Sequence, residues 1–146
     1  MFINTKLDRL DQKITQIMKK IGVPVLRYSL GILFIWFGLL KALNLSPAQD
    51  LVAKTVYWFS PSWFVPFLGW WEVVIGLCLV HKALIRLGIL LLAVQMAGTF
   101  LPFVLLPEVV FGTKFYALTL EGQYIIKNII IIAAAIVIGS HVRDKK

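Results

Sequence analysis

Apolar residues fill this chain in four long runs, over about residues 25–43, 63–80, 83–106 and 121–140. Each approaches the twenty or so residues that a helix needs to cross a hydrocarbon core. Ahead of the first run, residues 4–20 place Leu7, Leu10, Ile14, Ile17 and Met18 at helical spacing among lysines and aspartates. That pattern predicts an amphipathic helix lying on a membrane surface, capped by Asn4. Gly22 and Pro24 are expected to break it from the first span. Between the first two runs, Ser46-Pro47-Ala48-Gln49 reads as a helix start with Ser46 as N-cap, and predicts a short interfacial helix over residues 47–59. Tyr57, Trp58, Phe59, Trp63, Phe64, Phe67, Trp70 and Trp71 follow closely. They predict an aromatic belt at headgroup depth, with an aromatic lid over a lipid-like ligand as the sharper alternative. The expected fold is all-α. Residues 25–146 form a four-helix transmembrane bundle, residues 1–24 an amphipathic arm, and the short helix lies on the periplasmic side.

Composition agrees with one compact membrane domain. The 146 residues are 60% hydrophobic and 15% charged, well under the roughly 25% charge of an ordinary soluble domain. The formal charge of +8 does not point to nucleic acid, because the basic residues gather at the ends of the apolar runs. Lys6, Arg9, Lys13, Lys19, Lys20, Arg27, Lys82, Arg86, Arg143, Lys145 and Lys146 share one side; Lys41, Lys54, Lys114 and Lys127 fall on the other or within the membrane. That bias places both termini in the cytoplasm. No cleavable signal peptide is expected, since the first twenty residues lack an apolar core and a small-residue cleavage site. Cys78 is the single cysteine. It reads as a small buried hydrophobe, and a two-cysteine thiol–disulfide exchanger is excluded.

The polar residues inside the runs carry the chemistry. Glu72 lies about 14 Å along the second span, too deep to reach water, so it is either protonated or paired with a cation. Lys41, Thr99, Glu121, Gln123, Lys127 and Asn128 join it in a set that the topology gathers in the outer half of the bilayer or at its outer edge, with Gln95 near the middle. Gly38 precedes Lys41 by three, and Gly69 and Gly76 flank Glu72, so these ionisable residues sit on helix faces that permit close approach. Pro102 has no N–H for the carbonyl of Gly98, which is expected to leave that oxygen free beside Gln95 and Thr99. We expect one buried polar cluster in which Glu72 pairs with Lys41, Lys127 or both. Phosphate loops, nucleophile elbows and His/Cys metal spacings are absent, so no catalytic or metal-binding residue is assigned. His81 and His141 sit at span ends, where interface polarity explains each better than haem ligation.

RYSLGILFIWFGLLKAL, LGWWEVVIGL, TFLPFVLLPE and LTLEGQYIIKN, in this order, resemble the DoxX/DoxD-like family of small four-helix membrane proteins. The YkgB-like branch is nearest, and the likeness runs over about residues 27–139. It is carried by Gly38–Lys41, Gly69–Glu72 and Glu121–Lys127 on successive spans. Where some relatives have an arginine after the glycine of the fourth span, this chain has Gln123, which argues against an anion clamp at that position. The resemblance implies a bundle in the bacterial inner membrane. Relatives named for quinone-linked sulfur oxidation, and others tied to oxidative stress, imply an accessory redox role with a quinone as candidate ligand. Electron transfer would then need a partner, another membrane protein or a soluble oxidoreductase. A scaffold for a second membrane protein is the alternative. A small-solute or proton-coupled transporter ranks third, since four spans leave little room for alternating access without a homo-oligomer.

Overall fold

The computed structural model of the chain describes residues 5–112, 114 and 116–143. Among the described residues the regular structure is helix throughout, with one isolated antiparallel bridge, Phe111 to Leu118. Helix α1 covers Thr5–Ala42 and α2 covers Gln49–Thr55; α3 covers Pro61–Val80. A single 3-10 turn, Lys82–Leu84, leads into α4, Ile85–Thr99. Then come α5, Pro102–Leu105, and α6, Pro107–Val110. The last span is α7, Leu120–Ile126, followed by α8, Asn128–Ser140. Four stretches are long and apolar enough to cross a membrane: Leu7–Ala42, Pro61–Val80, Lys82–Leu105 and Leu120–Ser140. The chain is therefore the four-helix transmembrane bundle that its apolar pattern predicts.

Helix α1 does not break at Gly22 and Pro24; it runs through both as one rod of 38 residues, about 57 Å long. A proline costs a helix one hydrogen bond and a local clash. Gly22, Val23 and Val25 beside Pro24 are weak helix formers, so the continuity comes from the longer helical stretches on either side and not from local propensity. Residues 7–22 project beyond the bundle and are exposed on every face. Asn4, the expected cap, lies outside the described residues.

Helices α1 and α3 pack antiparallel at backbone distance. Gly31 faces Gly76 and Gly38 faces Gly69: a methyl group added at Gly38 would lie 2.5 Å from the Gly69 carbonyl oxygen, and one at Gly76 would lie 2.5 Å from that of Gly31. In lipid the apolar face of a helix gains little by turning inward, so close van der Waals packing of small residues holds such pairs. Leu30, Phe34, Ile75, Leu79, Leu92, Ala135 and Ile138 then close the half of the bundle nearer the termini. At the other half α7 makes its main contacts with α6 and α8, so the bundle is splayed there.

Three local starts and stops differ from the expected ones. Helix α2 begins at Gln49, not Pro47, and Ser46 caps no helix; its Oγ accepts from the Ala48 N–H at 3.3 Å. A serine can close its own turn two residues on, and here that competes successfully with helix capping. The third span is interrupted after Thr99, where the chain tightens to i→i+3 bonding and the Leu101 N–H takes the Gly98 carbonyl at 3.2 Å. That oxygen is consequently not free, although Pro102 cannot reach it. The fourth span divides at Lys127, whose carbonyl accepts from the Ile130 N–H at 3.0 Å. Thr119 starts that span: its Oγ1 accepts from the Gly122 N–H at 3.1 Å and donates to the Val109 carbonyl at 2.6 Å.

Candidate functional site

The crossing of α1 and α3 explains the site's central contact. In the antiparallel register Lys41 and Glu72 start about 9 Å apart along the axis. Helical side chains lean back toward the N-terminus of their own helix. Lys41 thus leans toward the level of Gly38 and Glu72 toward that of Gly69, which face each other. The two meet there: Lys41 Nζ lies 2.5 Å from Glu72 Oε1 and 2.7 Å from Oε2. Both residues are buried, at 9% and 6% exposure. From α4, Gln95 donates its Nε2 hydrogen to Glu72 Oε1. One turn on, the Thr99 hydroxyl donates to the Gln95 carbonyl at 3.0 Å. The other polar atom of that amide, Gln95 Oε1, is buried and has no hydrogen-bond partner among the described residues. The carboxyl group of Glu72 is thus met by an amine and an amide at once, which supply the partners a buried acid needs.

Beside this pair lies a cavity of about 560 Å³, lined by Lys41, Glu72, Gln95, Thr99, Lys127 and Asn128. Six of the eight polar residues expected in one cluster therefore come together. Glu121 and Gln123 do not. The buried line through α7 runs Gly122, Ile125, Asn128, because Gly122 packs directly against the Val110 carbonyl. That contact turns Glu121 outward, while the Gln123 amide donates back to the Leu118 carbonyl at 3.1 Å. Lys127 is not a second partner of Glu72. Its Nζ sits 3.8 Å from the centre of the Tyr124 ring, and Lys41–Glu72 is the one ion pair among the described residues.

Apolar side chains form the rest of the wall. Leu51, Val52 and Thr55 of α2 cover the cavity together with Phe64, Phe67 and Trp71 of α3. The aromatics serve two surfaces. Tyr57, Trp58, Trp63 and Trp70 face outward, as a belt would. Phe59 stacks on Phe64 at 4.9 Å, and the rings continue through Phe67 to Trp71 at 6.3 Å steps, leading inward to the cavity. Sequence reasoning missed Tyr124, though its position three residues before Lys127 on one helix was a usable signal. Among the described residues, no group of three His, Cys, Asp or Glu side chains is placed to hold a metal ion.

A buried lysine–glutamate–glutamine contact beside an apolar chamber, within four membrane-spanning helices, defines a small multi-pass membrane protein with an internal site. The DoxX family model matches residues 22–105, more than half of the sequence, and the chain belongs to the DoxX family. The match takes in Lys41, Glu72, Gln95 and Thr99 and stops before Lys127 and Asn128. No curated protein and no solved structure matches the chain.

Proposed function

We propose that this DoxX-family protein, of the YkgB-like branch, is an accessory component of redox or oxidative-stress metabolism in the bacterial inner membrane. It binds a quinone-like amphiphile in the cavity, with both termini in the cytoplasm. The cavity itself carries the reading: about 560 Å³ falls within the roughly 300–1,000 Å³ of small-molecule sites, and an apolar wall with a few convergent polar groups is what such sites have. A flat ring suits the surface offered by Phe67, Trp71 and Tyr124, and a carbonyl oxygen can accept from Lys127. Electrons would come from a partner, since no side chain of the site is itself a redox centre.

Tryptophan fluorescence tests this directly. Trp36, Trp58, Trp63 and Trp70 are exposed, whereas Trp71 lines the cavity. A short-chain quinone analogue should quench in a saturable manner, and Trp71→Phe should remove most of the saturable part. Quenching that rises linearly without a plateau would reject the ligand site. Orientation is tested with a membrane-impermeant thiol reagent on intact cells. Lys54→Cys should be labelled and Lys82→Cys protected, with Cys78, buried, a silent background.

A second reading, a scaffold for another protein, is favoured by the arm. Leu7, Leu10, Ile14, Ile17 and Ile21 are exposed at alternating spacings of three and four, the seam of a paired helix. A stoichiometric partner that co-purifies from native membrane and is lost on deleting the arm would support it.

A further inference from the structure

We infer that the amphiphile this cavity takes carries an anionic headgroup, held by Lys127, with its acyl chain in the apolar part of the chamber. The inference rests on the reading of the cavity as a ligand site and narrows the ligand's chemistry. It follows from charge. Glu72 is fully engaged, with Lys41 Nζ on both carboxylate oxygens and the Gln95 amide on one. Lys127 lines the same chamber, and its ammonium group lies over the Tyr124 ring. The cavity is therefore lined by two basic side chains and one acidic one, a surplus of one basic group.

That surplus sits inside a span. Lys127 is seven residues into Leu120–Ser140, about 10 Å from its start, and is itself exposed. It stands at the open edge of the chamber within the span, where an ammonium without a counter-charge is unfavourable. The face of Tyr124 recovers part of the lost hydration. Among the described residues no carboxylate pairs with Lys127, since Glu72 is taken by Lys41 and Glu121 is turned outward. A neutral carbonyl would give Lys127 one hydrogen bond; a carboxylate or phosphate would give a hydrogen bond and cancel the charge, in surroundings where charge attraction is poorly screened. The chamber also has a way in for a chain. Val94 of α4 and Ile130 of α8 line it and are themselves exposed, at 58% and 72%. The cavity thus opens sideways between these helices, toward the acyl region of a bilayer.

The test uses the full chain in nanodiscs of zwitterionic lipid at alkaline pH, with three brominated single-chain quenchers of tryptophan: dibromostearate, its alcohol, and the matching lysophosphatidate. Both anionic probes should bind at least about tenfold more tightly than the alcohol, as expected for a hydrogen bond to a charged group. Lys127→Met should abolish that preference and Lys127→Arg should retain it. If Lys127→Met loses its helical circular dichroism, Lys127→Gln takes its place. A preference for carboxylate alone or phosphate alone identifies the headgroup and still supports the inference. Equal affinity for acid and alcohol, or a preference that survives in folded Lys127→Met, overturns it. Should a quinone analogue saturate while the anionic probes gain nothing, the ligand site stands and the anionic headgroup falls. If no probe saturates, both fall.

Discussion

At the residue scale, the pairing of Lys41 with Glu72 is decided by two glycines. The sequence pattern identified an acid at mid-span and two candidate lysines, but helical spacing alone did not choose between them. Depth and crossing point belong to two helices at once, whereas periodicity describes one. The choice becomes readable once each charged side chain is seen to lean one turn back toward a glycine at a helix contact. Lys127 has no such glycine behind it on a facing helix, and it turns to Tyr124 instead. Removing one member of a buried pair strands the other, which typically costs about 3–5 kcal/mol, while replacing both with apolar residues is often neutral or better. Lys41→Met should accordingly lower stability to unfolding in mixed micelles far more than the double variant Lys41→Met/Glu72→Leu. If the double variant is the less stable of the two, the pair contributes net stabilisation and the argument from desolvation fails.

At the element scale, all four spans could be seen in the sequence, and their interruptions could not. Proline and glycine were expected to end α1, yet the helix continues through both. Ser46 and Pro47 have the residue types of a helix start and form a turn instead. In each case a local signal worth a few kcal/mol at most is set against neighbours that the one-dimensional pattern does not contain. The α1–α3 contact shows the converse, a long-range fit written in small residues. A methyl group at Gly69 would press on the backbone of Gly38 and Ala42, while one at Gly98 meets nothing within 4 Å. Gly69→Ala should cost about 1–3 kcal/mol through overpacking, and Gly98→Ala should be neutral or gain up to about 1 kcal/mol from helix propensity; comparative unfolding of the two variants checks the pair. Thr119 offers a third case. Its hydroxyl both caps α7 and ties it to the chain after α6, so Thr119→Val, nearly equal in shape, should lose about 1–2 kcal/mol, measurable as a lowered melting temperature.

At the scale of the whole molecule, the bundle is closed at one end and open at the other. Glycines and alanines draw α1, α3 and α8 together near the termini. Beyond Asn128 the last span stands off, held by Gly122 against Val110 and by the break at Lys127. Lys41, Glu72, Gln95, Thr99 and Asn128 were legible because each lies in a span on a face that meets other helices, whereas Lys127 lies on the flank of its helix and is exposed. Glu121 and Gln123 were not legible, since their outward turn is set by a single backbone contact, that of Gly122 with the distant Val110 carbonyl. The space left by the splayed half should be separable from the fold that surrounds it. Gly98 lines the cavity, and a Cβ there has open room, so a large side chain at this position can occupy the chamber without displacing a helix. Gly98→Phe should keep the helical circular dichroism and melting behaviour of Gly98→Ala, and should lose saturable quenching of Trp71 by a quinone analogue. Retained binding in a folded Gly98→Phe protein would mean that the ligand sits on the outer surface and that the chamber is only a packing defect. A protein that unfolds on Gly98→Phe, with Gly98→Ala intact, would mean that the chamber is not open space, and that the last span is held closer to α4 than a binding site requires.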